Sequence, residues 1–264
     1  HKDNPVNWFA WNKESLEQAK KEKKPIFLSV GYASCHWCHV MAHESFEDDQ
    51  TAKIMNEKFI NIKVDREERP DLDYVFQRSL SILTGTQGGW PLSMFLDENG
   101  VPFTGGTYFP PKEMHGRPDF QKVLNNVSDV YNKNREKILD QAAQMQEIFG
   151  KINQRSAVLN QPLEPFLEKI IQHLDKDNGS FKGAPKFPQF YLFDAMFYFY
   201  LKTGKEEYFK PVETLLYNIS SKGMYDHLAG GIARYTVDEN WIIPHFEKML
   251  YDNIQYIGLL NKFF

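Results

Sequence analysis

The two cysteines of the sequence lie three positions apart, in a motif suited to thiol–disulfide chemistry. Cys35-His36-Trp37-Cys38 follows an apolar run at 26–30 and a turn at 31–34. We predict a buried strand for the run and a helix that begins near Cys35, where unpaired backbone N–H groups and the positive end of the helix dipole favour the thiolate. One helical turn brings Cys38 close enough to attack a mixed disulfide on Cys35. The motif therefore predicts a redox pair in which Cys35 attacks, Cys38 resolves and His36 stabilises the thiolate.

The same helix permits a second interpretation, a zinc site. At about 100° per residue, one face within about 100° holds Cys35, His36, His39 and His43, and Cys38 lies about 60° to the other side. Thiolate and imidazole are the usual zinc ligands, but zinc sites ordinarily close around the ion from two chain segments. We therefore expect no metal and no other cofactor, and the alternative zinc ligands are Cys35, Cys38, His39 and His43. Two buried, unreactive cysteines are a third interpretation.

The elements that must position the pair follow from the hydrophobic periodicity. Strands are predicted at 26–30, 59–65, 92–96 and 101–108, and helices at 13–24, from 35, and at 48–58, 71–83 and 119–154. Asn12 is the expected N-cap of the first helix, and Asn99-Gly100 between the last two strands is a strong hairpin signal. A βαβ unit followed by a hairpin and a closing helix has the order of the thioredoxin fold. Residues 1–158 are thus predicted to form an α/β thioredoxin-like domain, with a mixed central sheet flanked by helices.

A proline opens the predicted strand at 92–96. Proline lacks the N–H that a sheet interior requires, so Pro91 is anomalous there unless that N–H is not needed. In a thioredoxin-like fold this proline is cis, lies against the cysteine pair and exposes the preceding backbone to substrate. We expect Pro91 to shape the substrate groove, and Trp37, Gly89 and Trp90 to contact the substrate. An ordinary trans proline at a strand start is the alternative.

From about residue 160 the periodicity becomes helical. Helices are predicted near 163–174, 190–203, 206–221 and 246–264, with Gly/Pro loops between them and no convincing strand alternation. Residues 159–264 are therefore predicted to form an all-α unit, and the uncapped last helix suggests a truncated helical array. A buried acid–imidazole group in such a unit could do acid–base work on a sugar. The candidates for this role, with helix capping and loop tethering as the alternative, are Asp226, His227, Arg234, His245 and Glu247.

Composition narrows the classes of partner. The chain has 264 residues, 42% of them hydrophobic, and a formal charge of −4 with both signs interspersed. This balance gives no electrostatic reason to expect nucleic acid or anionic membrane, and no apolar run reaches the roughly 18–20 residues of a membrane span. Two cysteines only three positions apart cannot join distant segments, so they do not indicate the disulfide scaffold of a secreted protein. We expect a cytoplasmic protein whose N-terminus is truncated, because the chain opens at His1 without an initiating methionine.

Longer motifs resemble the spermatogenesis-associated thioredoxin-like family, whose members share a DsbH-type thioredoxin domain. The motifs are NPVNW at 4–8, KPIFLSVGY at 24–32, CHWCHVM at 35–41, KVDREERPD at 63–71, QGGWPLS at 87–93, GGTYFPP at 105–111, GAPKFP at 183–188 and PHFEKMLYDN at 244–253. The resemblance implies that members are much longer and that their remainder resembles the (α/α)6 toroid of sugar epimerases and six-hairpin glycosidases. Residues 159–264 would then hold about its first two hairpins.

Two departures from the expected patterns affect the chemistry. Thioredoxins place a buried aspartate six residues before the first cysteine, but this sequence has Ser29 there. Proton transfer at Cys38 must therefore use water or another group. The loop that often reads Gly-Gly-Phe-His-Arg-Tyr in the family has Ala233 before Arg234, and the missing histidine weakens sugar chemistry at that loop.

Together, the motif and the resemblance predict a thiol–disulfide oxidoreductase or a redox-responsive protein. Its partner would be a protein dithiol or disulfide, or a small thiol. One alternative is a carbohydrate-binding or carbohydrate-processing protein that acts through the toroid of the full-length chain, with the thioredoxin-like domain as scaffold. A second alternative is a zinc-binding interaction module.

Overall fold

The computed structural model describes residues 1, 3–114, 116–152 and 162–264. The chain separates into two compact units, His1–Arg155 and Ser156–Phe264. The predicted boundary between residues 158 and 159 and the predicted last residues of the long helix, 153 and 154, lie outside the described residues.

The first unit is built on a mixed sheet of five strands. The strands are β1 (Trp8–Phe9), β2 (Ile26–Gly31), β3 (Ile60–Asp65), β4 (Leu92–Leu96) and β5 (Pro102–Gly106). The order across the sheet is β1-β3-β2-β4-β5. The strands β1, β2 and β3 run parallel, whereas β4 is antiparallel to both β2 and β5. This arrangement confirms the predicted thioredoxin-like fold and adds a short edge strand, β1, that the periodicity did not reveal.

Helices cover both faces of this sheet. They are α1 (Lys13–Glu22), α2 (His36–Met41), a π-helical segment (Ala42–Phe46) that continues α2, α3 (Asp49–Lys58), α4 (Pro70–Thr84) and α5 (Phe120–Ile152), which bends at Asn134. The predicted cap of α1 is confirmed, because the Asn12 side chain accepts a hydrogen bond of 2.9 Å from the Ser15 amide. The π-helical turn was not predicted.

The central strand β2 is buried along its whole length and supplies both cores. Its alternate residues Ile26, Leu28 and Val30 pack with α1 and α4 in one core. Phe27 points to the opposite face, where it packs with Phe46, on the side of α2, α3 and α5. Since side chains of a strand alternate between faces, Ser29 lies on the same face as Phe27 and therefore on the side of the cysteines.

The second unit contains four helices in its described part. They are α6 (Glu164–Ile171), α7 (Phe190–Thr203), α8 (Glu206–Ser221) and α9 (Leu250–Phe263). Its core includes Phe193, Tyr208 and Trp241, all completely buried. The prediction of no strands was incomplete, because Tyr235–Thr236 (β6) and Pro244–His245 (β7) form a small antiparallel ladder. The last helix, predicted from residue 246, begins at Leu250. The residues before it continue alongside the ladder, where the Arg234 amide donates to the Glu247 carbonyl at 2.7 Å.

Two loops of the second unit repeat the same structure. One follows α6, closes with a bridge between Leu174 and Phe181 and precedes α7; the other follows α8, closes with a bridge between Tyr225 and Ile232 and precedes α9. The second residue of each loop is an aspartate whose carboxylate accepts two amide hydrogen bonds within the loop and one from a lysine at 2.6 Å. The described residues thus form two helix–loop–helix repeats, and in each an aspartate bound by loop amides and a lysine holds the loop.

No helix among the described residues combines the length and apolarity needed to cross a membrane.

Candidate redox site

The cysteine pair lies where β2 passes into α2. Cys35 is the N-cap of α2, with extended backbone angles, and its sulfur accepts a hydrogen bond of 3.2 Å from the Cys38 amide. Cys35 and Cys38 are joined by a disulfide, with their Cα atoms 5.2 Å apart. The helix start predicted near Cys35 is confirmed. An amide aimed at the first sulfur stabilises its thiolate form once the disulfide is reduced.

Access to the two sulfurs is limited. Cys35 is 2% exposed and Cys38 is 7% exposed. His36 and Trp37, between them, are both exposed, and their rings meet edge to face at 5.7 Å. The exposed surface next to the pair therefore includes Trp37, which is 47% exposed.

Trp37 leans on Tyr108, whose ring centroid lies 5.1 Å away. The Tyr108 hydroxyl donates a 2.5 Å hydrogen bond to Glu44 of the π-helical segment. Burial raises the pKa of Tyr108 to about 12, and the hydrogen bond to Glu44 acts in the same direction. Tyr108 is therefore protonated at neutral pH, and its hydrogen bond to Glu44 holds the ring that packs against Trp37.

The Trp90-Pro91 peptide lies at the same end of the sheet. Leu92 pairs with Val30, which places the peptide beside the end of β2 from which the chain continues to the cysteines. Pro91 is buried and its peptide bond with Trp90 is cis. The Gly89 carbonyl accepts a hydrogen bond of 3.1 Å from the Gln77 side chain on α4.

The Trp90 side chain is fixed by two residues that the sequence analysis missed. Its indole N–H donates to the Asp73 carboxylate at 2.8 Å. The guanidinium of Arg66 lies over its ring at 4.2 Å and also faces the ring of Tyr32 at 5.5 Å. Such cation–π contacts favour one orientation of the indole. The motif at 63–71 contains Arg66, but nothing in that motif indicates a contact with Trp90.

The three predicted substrate-contact residues line one groove. It encloses about 660 Å³ beside the motif, and its lining consists of Trp37, Gln87, Gly88, Gly89, Trp90, Thr107, Tyr108, Pro110, Met114 and Arg117. Three aromatic side chains and two glycines belong to this lining, and Arg117 is the one cation among its described residues. A groove of this composition suits an extended peptide segment better than a highly charged small molecule.

A second cavity, of about 390 Å³, opens behind the pair and includes Cys38, Gly31, Lys63 and Asp65 in its wall. The Lys63 ammonium donates a hydrogen bond of 2.8 Å to Ser29, at the position where thioredoxins have an aspartate. Burial lowers the pKa of Lys63 to about 8, while the nearby Asp65 opposes this shift. The sequence indicated that proton transfer at Cys38 needs water or another group in place of the aspartate, but it did not identify Lys63.

The alternative zinc ligands do not converge. Cys35 and Cys38 are bonded to each other, the His39 ring nitrogen Nε2 lies 2.6 Å from the Ala33 carbonyl, and His43 Nδ1 lies 3.0 Å from Glu47. Within 1, 3–114, 116–152 and 162–264, no group of three or more histidine, cysteine or acidic side chains is arranged to hold a metal ion. The arrangement therefore lends the zinc interpretation no support.

The helical candidates fall into two groups. Arg234 donates to Glu247 at 3.3 Å, and His245 Nδ1 lies 3.6 Å from the other Glu247 oxygen while its ring stacks on Tyr235 at 4.6 Å. Asp226 instead binds its own loop. Hydrogen bonds from the Ala229 amide and from Lys248 lower its pKa well below the usual range, which is the tethering role weighed as the alternative.

His227 is exposed beside the Asp226 loop. Its ring nitrogen Nε2 lies 3.2 Å from the Lys222 carbonyl, and its ring meets Tyr225 edge to face. Its described contacts are thus with the loop and the end of α8.

Gly31 should be intolerant of any side chain, because a methyl group there would lie 2.8 Å from Cys38 Sγ. We expect Gly31→Ala to lower the free energy of unfolding by about 1–3 kcal/mol, as overpacking of a filled interior does. Urea unfolding followed by circular dichroism measures this. The matched control is Gly150→Ala in α5, where a methyl group meets nothing within 4 Å and helix propensity favours alanine. Equal stability of both variants would contradict the close contact.

The fold and the site define a thioredoxin-like protein with a vicinal cysteine pair at a helix start. A family model described as Thioredox_DsbH, protein of unknown function, DUF255, matches residues 1–150. The chain belongs to this DsbH-type thioredoxin family, as the motifs of the first half indicated.

Curated relatives extend the likeness through the helical unit. An uncharacterized protein of Caenorhabditis elegans is 40% identical over 271 residues, covering 100% of this chain and 37% of the relative. Spermatogenesis-associated protein 20 of Homo sapiens is 37% identical over 270 residues, covering 97% of this chain and 34% of the relative. The chain thus spans about a third of the length of these relatives.

The solved structures that match align with about half of this chain. A structure titled DsbH oxidoreductase has 19% identity and a TM-score of 0.33, covering 48% of this chain and 83% of that one. A thioredoxin from Thermus thermophilus has 20% identity and a TM-score of 0.33, covering 47% of this chain and 87% of that one.

Proposed function

We propose that this protein is a thiol–disulfide oxidoreductase that acts on protein dithiols or disulfides through Cys35 and Cys38, with small thiols as the alternative partner. The observation that carries the proposal is the hydrogen bond from the Cys38 amide to the Cys35 sulfur at the start of α2. It supports Cys35 as the sulfur whose thiolate is stabilised, and hence as the attacking one. The proposal includes a cytoplasmic location, where such pairs are kept reduced.

The reaction takes two exchange steps. The Cys35 thiolate attacks one sulfur of a substrate disulfide, forms a mixed disulfide and releases the other substrate sulfur as a thiolate. Cys38 then loses its proton and attacks Cys35 Sγ, which forms the Cys35–Cys38 disulfide and releases the second substrate sulfur. The substrate gains two electrons and the pair loses two. The reverse sequence oxidises a dithiol.

The groove supplies the remaining roles. Trp37 and Trp90 would hold the peptide on either side of the reacting sulfur, Gly89 would offer its backbone, and Pro91 would shape the wall between them. His36, exposed beside Cys35, would stabilise the thiolate when protonated. The fixed orientation of Trp90 supports a preformed groove, which lowers the entropic cost of binding.

The test uses the purified chain with insulin as the disulfide substrate and dithiothreitol as the electron donor. We expect insulin reduction to be faster with the protein than with dithiothreitol alone. Equilibration in glutathione buffers should show a two-electron transition between dithiol and disulfide, from which the reduction potential follows. A protein that neither accelerates the reduction nor forms its disulfide in any of these buffers would refute the proposal.

A second candidate function rests on the helical unit, which we propose to be the start of an (α/α) toroid. Arg234, His245 and Glu247 form a partly buried acid–imidazole–guanidinium cluster, and His245 continues a stack of Phe187 on Tyr235 at 4.7 Å. Such a cluster could bind a sugar and move a proton on it. We expect a sugar that binds there to raise the melting temperature of the full-length protein, and His245→Ala to remove that increase. No change across a broad panel of sugars would exclude this function.

A further inference from the structure

A lysine occupies the place behind the resolving cysteine. Lys63 and Ser29 are partners in the parallel pairing of β3 with β2, and the ammonium of Lys63 donates to the Ser29 hydroxyl at 2.8 Å. The ammonium also lies 5.6 Å from the ring of Trp8 and 5.4 Å from that of Phe46. The group is thus enclosed on the face of the sheet that carries α2.

This ammonium and the sulfur of Cys38 face the same point. A methyl group built on Gly31 would lie 2.8 Å from Cys38 Sγ and 3.9 Å from Lys63 Nζ. Both side chains also line the cavity behind the pair, which reaches solvent. A water molecule in this cavity could therefore carry a proton between the two groups and on to solvent without crossing the substrate groove.

The pKa of Lys63 lies close to that of an ordinary thiol. Burial brings the pKa of Lys63 down to about 8, and an ordinary thiol has a pKa of about 8.5. Proton transfer between groups of similar pKa costs little free energy in either direction. Among the described residues of the cavity wall, the other titratable groups are His1, Tyr32 and Asp65, with His39, His43 and Glu47 from the α2 side, and Asp65 is the one that raises the pKa of Lys63.

We propose that Lys63 accepts the proton of Cys38 when the mixed disulfide is resolved and returns a proton to the Cys38 sulfur when the pair's disulfide is opened. The inference rests on the proposed oxidoreductase function. In the forward step the neutral amine takes the thiol proton, the Cys38 thiolate bonds to Cys35 Sγ, and the bond from Cys35 to the substrate sulfur breaks. The electron pair leaves with the substrate sulfur, and the ammonium loses its proton to water in the cavity.

The thermal stability of a Lys63 variant distinguishes a proton-transfer role of this lysine from a structural one. Lys63 interacts there with a hydroxyl and two aromatic rings, and burying a charge without a hydrogen-bonded counter-ion destabilises a fold. We therefore expect Lys63→Met to be at least as stable as the wild type in thermal unfolding. A lysine kept for packing would show the opposite result.

The experiment uses the reduced chain and 5,5′-dithiobis(2-nitrobenzoic acid), a disulfide of two coloured thiols. The first coloured thiol released reports attack by Cys35, and the second, whose release is independent of reagent concentration, reports resolution by Cys38. We expect Lys63→Met to slow the second release about 100-fold at pH 7, a typical contribution of general base catalysis, and to leave the first within about twofold. The control Lys53→Met removes an exposed lysine of α3 and should change neither.

The pH dependence adds a second readout. In the wild type the second release should rise with pH and level off above about pH 8, as Lys63 becomes the neutral acceptor; in Lys63→Met it should keep rising toward higher pH. Adding Ser29→Asp to Lys63→Met should recover much of the lost rate by supplying a carboxylate acceptor. The inference is overturned if Lys63→Met resolves at the wild-type rate with the wild-type pH profile, or if it slows both releases equally. Absence of both releases in the wild type would instead refute the proposed function.

Discussion

Cys38→Ser should turn the protein into a covalent trap, whereas Cys35→Ser should abolish exchange altogether. Without Cys38 the first step still forms a mixed disulfide on Cys35, but no thiol is close enough to resolve it. Without Cys35 the sulfur that receives the Cys38 amide hydrogen bond is lost, and with it the stabilised thiolate. Mass spectrometry of each variant after incubation with an excess of a disulfide-bonded peptide measures the outcome. We expect one peptide adduct per chain for Cys38→Ser and none for Cys35→Ser.

The two variants are matched controls for each other, because each removes one sulfur and keeps a side chain of similar size. The comparison also tests the assignment of roles, since both cysteines are almost completely buried and exposure does not separate them. An adduct on Cys35→Ser in place of Cys38→Ser would reverse the roles of attacking and resolving thiol. Adducts of neither variant would remove the basis of the proposed function.

Short-range sequence signals were sufficient to predict most of the strands and helices that position the cysteine pair. β2 is an apolar run with one polar residue, Ser29. The cap at Asn12 and the hairpin at Asn99-Gly100 are short-range signals, and the helix start at Cys35 follows from the turn before it. Each of these depends on neighbours in the chain, so each is visible in a single sequence. The strand β1, two residues long, and the π-helical turn after α2 carry no periodicity of their own and were not predicted.

The support around the cysteines could not be predicted in the same way, because it is created by strand register. Ser29 and Lys63 are 34 positions apart and become partners only when β2 and β3 align. Asp73 and Trp90 are 17 positions apart and meet because α4 packs next to β4. The sequence showed that an acid was absent at Ser29, but only the register identifies the amine that stands beside it.

The helical unit contains a repeat that the sequence did not reveal. Asp226 was weighed as an acid–base group, yet it accepts hydrogen bonds from two loop amides and a lysine, as does Asp175, which was not singled out. The two loops share little beyond the aspartate and a glycine four residues later, Gly179 in one and Gly230 in the other. A resemblance of two residues is too slight to reveal a repeat without the bridges and hydrogen bonds that the fold adds.

The repeat provides a matched pair of lysines that differ in burial. Lys186, within the GAPKFP motif, has a side chain 1% exposed and lies 5.4 Å from the ring of Trp241, whereas Lys248 is 39% exposed. Burial alone would raise the pKa of Asp175, but hydrogen bonds from Lys186 and the loop amides outweigh it and lower the pKa to about 2. The carboxylate is therefore charged at neutral pH and forms a buried ion pair with Lys186.

Lys186→Met should consequently destabilise the helical unit by about 3–5 kcal/mol, the usual result of leaving one charge of a buried pair uncompensated. Lys248→Met should have a much smaller effect, because water can solvate Asp226 in place of the lysine. Urea unfolding of the whole chain, followed by circular dichroism, measures both. Adding Asp175→Asn to Lys186→Met should restore part of the loss, since the amide oxygen keeps the loop hydrogen bonds without a charge. Equal losses for the two lysine variants would show that the ion pair contributes no more when buried than when exposed, and that the GAPKFP motif stabilises the fold by other means.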